Sequence, residues 1–334
     1  MNACPRFSHL LVLPHLRIQN ANAVSGPLTH GFPPITAFLG LMWALERKTR
    51  AAGLDMAFKA VGVVCHAHQE QVTQGGFVQS FRLTRNPVDK DGSTAAIVEE
   101  GRIHLELSLV FAVASECWNS APQAAIDGDI VQVKTLLGGM RVAGGAVLPS
   151  AQPRRSRYQP FHVNLTGTDD DQLKEFGKAR MRLLPGFALV ARDDLLDARL
   201  AELRQSNGQS TQLDAWLSLS RVNWHYQPGK KEGTGQWLHD RKDLGWIVPI
   251  PVGYGALSGV HPPGSVANAR DAATPFRFVE SLYSVGQWCS PHRLQSPQQM
   301  LWYADSPPDS GLYRCRNDYR PAQSSIDSLY DSDD

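Results

Sequence analysis

Few residues in this sequence have the type and spacing that catalysis requires. His66 and His68 stand two apart in a segment with strand character, which would bring both rings to one face as a general acid and base. Asp169 to Asp171 are consecutive carboxylates that cannot all converge on one metal, so a solvated turn is the better interpretation. The sequence has no nucleophile-elbow, zinc-protease, Walker or kinase motif. We therefore predict no catalytic residue, metal or cofactor, and keep the histidine pair as an alternative.

The cysteines and the composition exclude several other classes of protein. The five cysteines are odd in number, widely spaced and form no C-x-x-C pair, so neither a disulfide framework nor a zinc site is indicated. The 334 residues, 42% of them hydrophobic, can bury one large core or two modest ones. No apolar run approaches the roughly 20 residues of a membrane span, and the run near the start is too short for a signal peptide. A cytoplasmic protein without membrane contact is expected.

Three polar segments have the chemistry of nucleic-acid contacts, although a net charge of only +1 does not by itself predict them. In the first, QNANAVSGPLTHG, the side chains of Gln19, Asn20, Asn22 and Ser25 offer the donors and acceptors that unstacked bases need. Arg17, just ahead of this segment, could contact a phosphate. Asparagine-rich segments also form ordinary turns, and that alternative stays open.

The second segment is the glycine-rich AGGAVLP. Gly144 and Gly145 allow the backbone to approach a phosphate or a sugar because no Cβ intervenes, and Arg141 could neutralise a phosphate. The alternative is a tight turn between a helix and a strand.

The third segment is a hairpin predicted at about residues 69–100. Phe77 and Phe81 are expected on one face, with Arg82 and Arg85 near its end. Such a projection could press aromatic rings against RNA while its arginines hold phosphates. An exposed edge hairpin held by its own apolar face is the alternative.

The elements that position these segments predict an α+β fold of ferredoxin-like or RRM type. In chain order the patterns indicate a strand at 9–18, a helix after Pro34, a strand at 56–68, the hairpin, a strand at 102–113, a helix at 126–137 and a final strand. We assign residues 1–150 to this core and residues 151–322 to an irregular mixed α/β region packed on it. Residues 323–334 are an acidic tail that we expect to be disordered.

Six motifs run in order along nearly the whole chain: QNANA, LTRNP, DGSTAAIVEEGR, AGGAVLP, LLPGFALV and WIVPIPVGY. On these motifs the sequence resembles the second-subunit family of the type I-F CRISPR Csy surveillance complex, RAMP proteins of the Cas-five class. The resemblance implies a non-enzymatic, RRM-like protein with a thumb-like hairpin that binds the 5′ handle of the crRNA. It implies as partners the large subunit, in a heterodimer, an adjacent backbone subunit, and target DNA within the assembled complex during antiviral defence.

The resemblance also bears on the candidate residues. It implies RNA contacts at the three polar segments and at further cations in polar loops, namely Arg154, Arg155, Arg270, His292 and Arg293. The arginine run that contains the first two is otherwise a solvated loop. Two alternatives for the function remain, a RAMP-type endoribonuclease using His66 and His68, and a bridging adaptor that contacts only protein.

Overall fold

The computed structural model describes residues 3–85, 88, 91–94, 97–229, 234–269, 271–307 and 310–321. The strands in this part of the chain are β1 (His9–Asn22), β2 (Val24–Gly26), β3 (Thr29–His30), β4 (Ala57–Glu70), β5 (Val72–Gly75), β6 (Val78–Phe81), β7 (Leu83–Arg85), β8 (Ile97–Glu99), β9 (Arg102–Ala114), β10 (Arg141–Val142), β11 (Gly145–Leu148), β12 (Phe161–Asn164), β13 (Phe187–Ala191), β14 (Trp224–Pro228), β15 (Gly235–His239), β16 (Trp246–Ala256), β17 (Val279–Cys289), β18 (Leu301–Asp305) and β19 (Leu312–Asn317). The helices are α1 (Ile35–Ala51), α2 (Glu116–Ser120), α3 (Gln123–Gly138), α4 (Asp169–Arg182), α5 (Asp193–Ser206) and α6 (Gln212–Leu219). The predicted acidic tail lies outside the described residues.

Four strands of the N-terminal half lie side by side in the order β11, β1, β9, β4, and each neighbouring pair is antiparallel. β1 and β9 pair along their whole length, from His9 opposite Val113 to Asn22 opposite Arg102. Helix α1 connects β1 to β4, and α3 lies between β9 and β11. Their apolar stripes pack into one hydrophobic cluster with the inward-facing residues of the strands, so both helices cover the same face of the sheet. The α+β class expected from the sequence is confirmed.

The C-terminal strands curl into a ring that closes on β4. β13, β17, β16, β19 and β18 follow one another in antiparallel pairs. Both end strands also pair with β4, where Leu301 of β18 lies opposite Gly62 and Ala188 of β13 lies opposite Val64. The buried indole of Trp302 donates a hydrogen bond of 2.7 Å to the Leu189 carbonyl. The large hydrophobic cluster therefore includes residues of both halves of the chain.

The opposite face of the N-terminal sheet is covered only in part. Leu10 and Val12 of β1 lie in a second buried cluster, together with Phe176 of α4. Farther along β1, Arg17 and Gln19 are exposed. Because α4 covers only the beginning of β1, the second half of that strand presents polar side chains to solvent.

Two segments differ from the sequence-based expectation. QNANA continues β1 as far as Asn22, because β9 on one side supplies backbone partners that a loop would lack. Asp169 to Asp171 form the first turn of α4, a helix that the patterns did not predict. Thr168 and Asp171 cap this helix reciprocally, and the carboxylates lie at the positive end of its dipole.

The insertion between β4 and β9 contains two short ladders, β5–β6 and β7–β8, where one hairpin was expected. Phe77 lies in the turn between β5 and β6 and is fully exposed. Phe81 lies at the other end of β6, where its ring meets the His30 ring edge-on at 5.5 Å. The two phenylalanines therefore occupy opposite ends of the hairpin.

Candidate nucleic-acid interface

A polar cavity of about 480 Å³ opens beside the second half of β1, where three distant segments of the chain meet. Its lining residues are Gln19, Asn20, Gln71, Arg82, Glu100, Arg102, Arg141, Gly144 and Ala146. Five of these were proposed from the sequence as nucleic-acid contacts, and they come from all three polar segments. We call this site the handle cavity, after the RNA handle that the family resemblance implies as a ligand of its predicted residues.

The foot of the β5–β6 hairpin is tied to the sheet by backbone hydrogen bonds. The Gln71 amide donates to the Arg102 carbonyl at 2.7 Å, and the Arg82 amide donates to the Gln71 carbonyl at 3.2 Å. Arg82 therefore lies at the foot of the hairpin, where the sequence had suggested its far end. Because these hydrogen bonds fix the backbone of Arg82, its side chain extends from a defined point on the cavity wall.

An irregularity in β1 brings the amide side chains to the cavity. The pairing of β1 with β9 shifts register between Ile18 and Ala21, and Asn20 has φ of 56°. Asparagine tolerates this left-handed conformation better than most residues. The Asn20 amide donates to Nδ1 of His104 at 3.1 Å, while its side chain stays exposed. The bulge thus leaves two consecutive polar side chains, Gln19 and Asn20, exposed, where the regular alternation of a strand would turn one of them inward.

The glycine-rich segment is a two-residue hairpin turn. Ala143 and Gly144, with φ of 47° and 81°, connect β10 to β11, and positive φ at both positions is what such turns require. The Arg141 guanidinium donates to the Gly144 carbonyl at 3.1 Å. Gly145 is buried, and a Cβ there would lie 2.7 Å from the backbone nitrogen of Ala21. Close packing on β1, and not approach to a ligand, explains this second glycine.

Positive charge exceeds negative charge at the handle cavity. Arg82 and Arg141 are exposed, as is Arg17 on the adjoining strand, and none of the three pairs with an acid among the described residues. Arg102 is paired with Glu100. Three cations without carboxylate partners among the described residues give the surface beside the polar cavity a local excess of positive charge.

Several other predicted residues are engaged within the protein. The Asn22 side-chain amide donates to the Val24 carbonyl at 2.8 Å and accepts from the Val24 amide at 3.1 Å. The Ser25 hydroxyl donates to Thr29 at 2.9 Å. These two side chains stabilise the turn after β1, so part of their hydrogen-bonding capacity is already used within the protein.

The remaining predicted residues do not join the cavity. Arg154 and Arg155 are exposed just before a short 3₁₀ helix at Ser156–Tyr158. His292 and Arg293 belong to another 3₁₀ helix at Pro291–Arg293 and are exposed. Arg270 and the side chain of Arg85 lie outside the described residues.

His66, which is partly buried, belongs to a network of polar groups that includes Pro185 and Ser108. Its Nδ1 lies 2.7 Å from the Pro185 carbonyl, which can only accept, so Nδ1 carries the proton. Its Nε2 then accepts from the Ser108 hydroxyl at 2.6 Å. Burial lowers the pKa of His66 to about 4, against which the Pro185 hydrogen bond acts only partially.

His15 completes this network from β1. Its ring stacks on His66 with a centroid separation of 4.0 Å, and it has φ of 51°. Arg157 Nε donates to Nε2 of His15 at 3.0 Å, so the proton of the neutral ring is on Nδ1, which lies 2.6 Å from Glu106. Each ring nitrogen of both histidines has a partner inside the protein.

Sequence reasoning missed four of the residues that line the handle cavity, the polar Gln71, Glu100 and Arg102 and the apolar Ala146. The available signal was the register of β1 against β9, in which Arg102 lies opposite Asn22. Because QNANA was expected to be a loop, the pairing was not extended far enough to bring Arg102 to the site.

No group of three or more His, Cys, Asp or Glu residues in the described ranges is placed to hold a metal ion. Within the same ranges, none of the helices combines the length and the apolar character needed to span a bilayer.

Comparison with known proteins identifies relatives over nearly the full length. The family model described as CRISPR-associated protein (Cas_Csy2) matches residues 11–315. The chain is also 45% identical over 312 residues to CRISPR-associated protein Csy2 of Pseudomonas aeruginosa (strain UCBPP-PA14), which covers 91% of this chain and 94% of that protein. Such coverage excludes a shared motif or fragment as the source of the match. The chain therefore belongs to the Csy2 family of CRISPR-associated proteins, which confirms the family that its motifs predicted.

Proposed function

We propose that this chain is a non-catalytic subunit of a type I-F Csy complex and that its handle cavity binds the 5′ handle of the crRNA. Membership in the Csy2 family supports the first part. The observation that carries the second is the convergence of Arg82, Arg141 and the amides of Gln19 and Asn20 on one cavity. Guanidinium groups neutralise phosphates, and exposed amides hydrogen-bond the edges of unstacked bases.

The arrangement of the N-terminal half supports this proposal. We infer that it is a ferredoxin-like, RRM-type core within residues 1–150, because its strands lie in the order β11, β1, β9, β4 with α1 and α3 on one face. RRM proteins bind single-stranded RNA on the face of the sheet away from the helices. Arg17 and Gln19 are exposed beside that face, and the β5–β6 hairpin would act as the thumb-like projection.

The endoribonuclease alternative has less support. A general acid or base needs a ring nitrogen that can reach the substrate, and both nitrogens of His66 are bonded to Pro185 and Ser108. Within the described residues, the two hydrogen bonds of the His66 ring go to Pro185 and Ser108 and not to His68. The register shift between Cys65 and Ala67 also interrupts the alternation that would align the two histidine rings. A structural role, in which His66 connects β4 to Pro185 and to Ser108 of β9, explains these contacts better than proton transfer.

The proposed protein partners have a candidate surface of their own. Trp43, Tyr254 and Leu312 are exposed apolar side chains, and the rings of Trp43 and Tyr254 each lie about 6 Å from that of Tyr313. Aromatic clusters of this kind are typical of subunit interfaces. We propose that the large subunit or the adjacent backbone subunit covers this cluster, and that target DNA is met only in the assembled complex.

The test is RNA binding as a function of salt, with an RNA oligonucleotide of the handle sequence and the full-length protein. Arg141→Glu and Arg82→Glu should each weaken binding at least about tenfold and make the log–log salt slope shallower by about 0.7, the contribution of one phosphate contact to single-stranded RNA. Lys48→Glu is the matched control, since Lys48 is an exposed cation on α1 outside the cavity.

The outcomes separate the three functions. If Lys48→Glu weakens RNA binding as strongly as the cavity variants, binding is not local to the cavity. If the protein has no salt-dependent affinity for the handle RNA but still assembles with other Csy subunits, it is a protein-only adaptor. If the protein cleaves the RNA and His66→Ala abolishes cleavage, it is an endoribonuclease.

A further inference from the structure

A cavity of about 640 Å³ opens between the C-terminal end of β4 and the strands β13, β16 and β17. It shares no lining residue with the handle cavity, so it is a separate site. Ligand pockets in proteins have volumes of about 300–1,000 Å³, so this cavity is large enough for a ligand. Its size does not select one kind of ligand, and the chemistry of the lining residues has to do so.

The cavity is lined by four aromatic rings in a connected row, Phe32, Trp288, Trp246 and Phe187, which we call the aromatic wall. Trp246 lies opposite Trp288 in the register of β16 and β17, with ring centroids 6.5 Å apart. Phe187 meets Trp246 edge-on at 5.8 Å. At the other end of the row, Phe32 meets Trp288 edge-on at 4.9 Å. Trp246 and Phe187 remain 54% and 44% exposed, so a ligand can reach their rings.

The lining also contains one carboxylate, that of Glu70 at the end of β4. Only 20% of this side chain is exposed. Its Oε1 accepts a hydrogen bond of 3.0 Å from Nδ1 of His30. Within the described residues its Oε2 has no hydrogen-bond partner, so this oxygen can accept from a ligand. A carboxylate that is mostly withdrawn from water gains most from a charged donor.

No lysine or arginine is among the described residues that line the cavity. The lining does contain three histidines, His30, His66 and His68. Burial lowers the pKa of His66 to about 4, so this ring carries no charge at about pH 7. The carboxylate of Glu70 thus has no lysine or arginine beside it in the lining, which disfavours a phosphate or another anion as the ligand.

An apolar ligand would also fit this lining poorly. It would cover the aromatic wall, but it would remove water from Glu70 without supplying a donor to Oε2, which costs binding energy. A guanidinium group meets both requirements, because it is planar and weakly hydrated, stacks on aromatic rings and donates hydrogen bonds to carboxylates. An ammonium group has the charge but lacks the flat face.

We propose that this cavity binds the guanidinium group of an arginine side chain on a partner protein, stacked on the aromatic wall at Trp246 and hydrogen-bonded to Oε2 of Glu70. Trp246 and Phe187 together expose more apolar surface than one guanidinium group can cover, and residues that flank the arginine in a protein can cover the rest. Tryptophan and arginine are also among the residues that contribute most to protein interfaces. The proposal does not rest on RNA binding, because the two cavities share no lining residue.

The test is a ligand-observed NMR titration of the full-length protein with the tripeptide Gly-Arg-Gly, blocked at both termini. One side chain held by stacking and one ion pair should bind with a Kd of about 1 mM. The matched ligand is the same tripeptide with citrulline in place of arginine, because citrulline has a similar shape but no charge. The citrulline tripeptide should bind at least about tenfold more weakly.

Two variants locate the site. Glu70→Gln keeps an acceptor for His30 but removes the charge, and Trp246→Ala removes the stacking ring, so each should weaken binding at least about tenfold. The matched controls are Glu280→Gln and Trp224→Ala, since Glu280 and Trp224 are exposed and lie outside the cavity. Both controls should bind the arginine tripeptide within about twofold of the unaltered protein, and thermal melting should show all variants folded to the same extent.

Several results would overturn the proposal. If the citrulline tripeptide binds as tightly as the arginine tripeptide, or if the latter shows no binding at about 10 mM, the cavity does not select a guanidinium group. If Glu70→Gln and Trp246→Ala leave binding unchanged, the tripeptide binds elsewhere. If adenosine binds more tightly than the tripeptide and Trp246→Ala abolishes its binding, the cavity is a nucleobase site. Tighter binding of free arginine than of the blocked tripeptide would make the ligand an amino acid and not a protein.

Discussion

Acidification should destabilise this fold through one partly buried histidine, His66. Its folded-state pKa is about 4, whereas an unperturbed histidine has 6.5, so the unfolded chain takes up a proton first as the pH falls. The stability that the neutral ring contributes is fully present above about pH 7, declines as the pH falls below about 6.5, and levels off below about pH 4. Because the two pKa values differ by this amount, the free energy of unfolding should fall by about 2 kcal/mol on going from about pH 7.5 to about pH 5.

The assay is urea denaturation of the full-length protein at those two pH values, with His66→Gln as the variant. Glutamine cannot titrate, and its amide can still donate to the Pro185 carbonyl and accept from Ser108. We expect the variant to lose about 2 kcal/mol less than the unaltered protein between the two conditions. Burial also lowers the pKa of His9 and His162, but both titrate in every variant and cancel in the comparison.

His68→Gln is the matched control, since His68 is an exposed histidine on the same strand. It should keep the pH dependence of the unaltered protein. The reasoning is refuted if His66→Gln and the unaltered protein lose the same free energy of unfolding between the two pH values. Equal loss would mean that His66 is not held neutral by burial.

Two further substitutions test the packing that builds the handle cavity and the closure of the ring of strands. Gly145→Ala should lower the free energy of unfolding by about 1–3 kcal/mol, because its Cβ would lie 2.7 Å from the Ala21 nitrogen. The control is Gly128→Ala in α3, where no atom lies within 4 Å of the new Cβ, so this change should be neutral or raise stability by up to about 1 kcal/mol. If both glycine variants are destabilised equally in urea denaturation, close packing does not explain Gly145. Trp302→Phe should lower stability by about 1–3 kcal/mol, because it removes the indole N–H that donates to the Leu189 carbonyl at 2.7 Å. A thermal melt identical to that of the unaltered protein would show that this hydrogen bond contributes nothing to stability.

Much of the fold could be predicted from local patterns because those patterns are strong. The alternation of Ile103, Leu105, Leu107 and Leu109 predicts β9, and the helical spacing after Pro34 predicts α1. The ring that closes on β4 could not be predicted in this way. It depends on which strands meet across long sequence separations, and nothing local to β13 or β18 specifies that both pair with the same edge.

The candidate site, too, could be predicted only in part from the sequence. The residue types alone indicated Gln19, Asn20, Arg82, Arg141 and Gly144, because amides and guanidinium groups have the chemistry of RNA contacts whatever their surroundings. The same reasoning could not separate them from side chains of similar type that are consumed internally, such as the Asn22 amide that bonds Val24.

The sequence by itself determined the family, the class of fold and the three polar segments, since these follow from motifs and periodicity along the chain. Only the tertiary structure decided that the segments share one cavity, that Gly145 serves packing, and that His66 is held neutral between Pro185 and Ser108. That Trp224, Tyr226 and Trp237 lie on one side of the ribbon formed by β14 and β15 follows only from the register of these two strands. The physical reason is that residue type is a local property, whereas burial, pairing and free hydrogen-bonding capacity depend on parts of the chain that folding brings together.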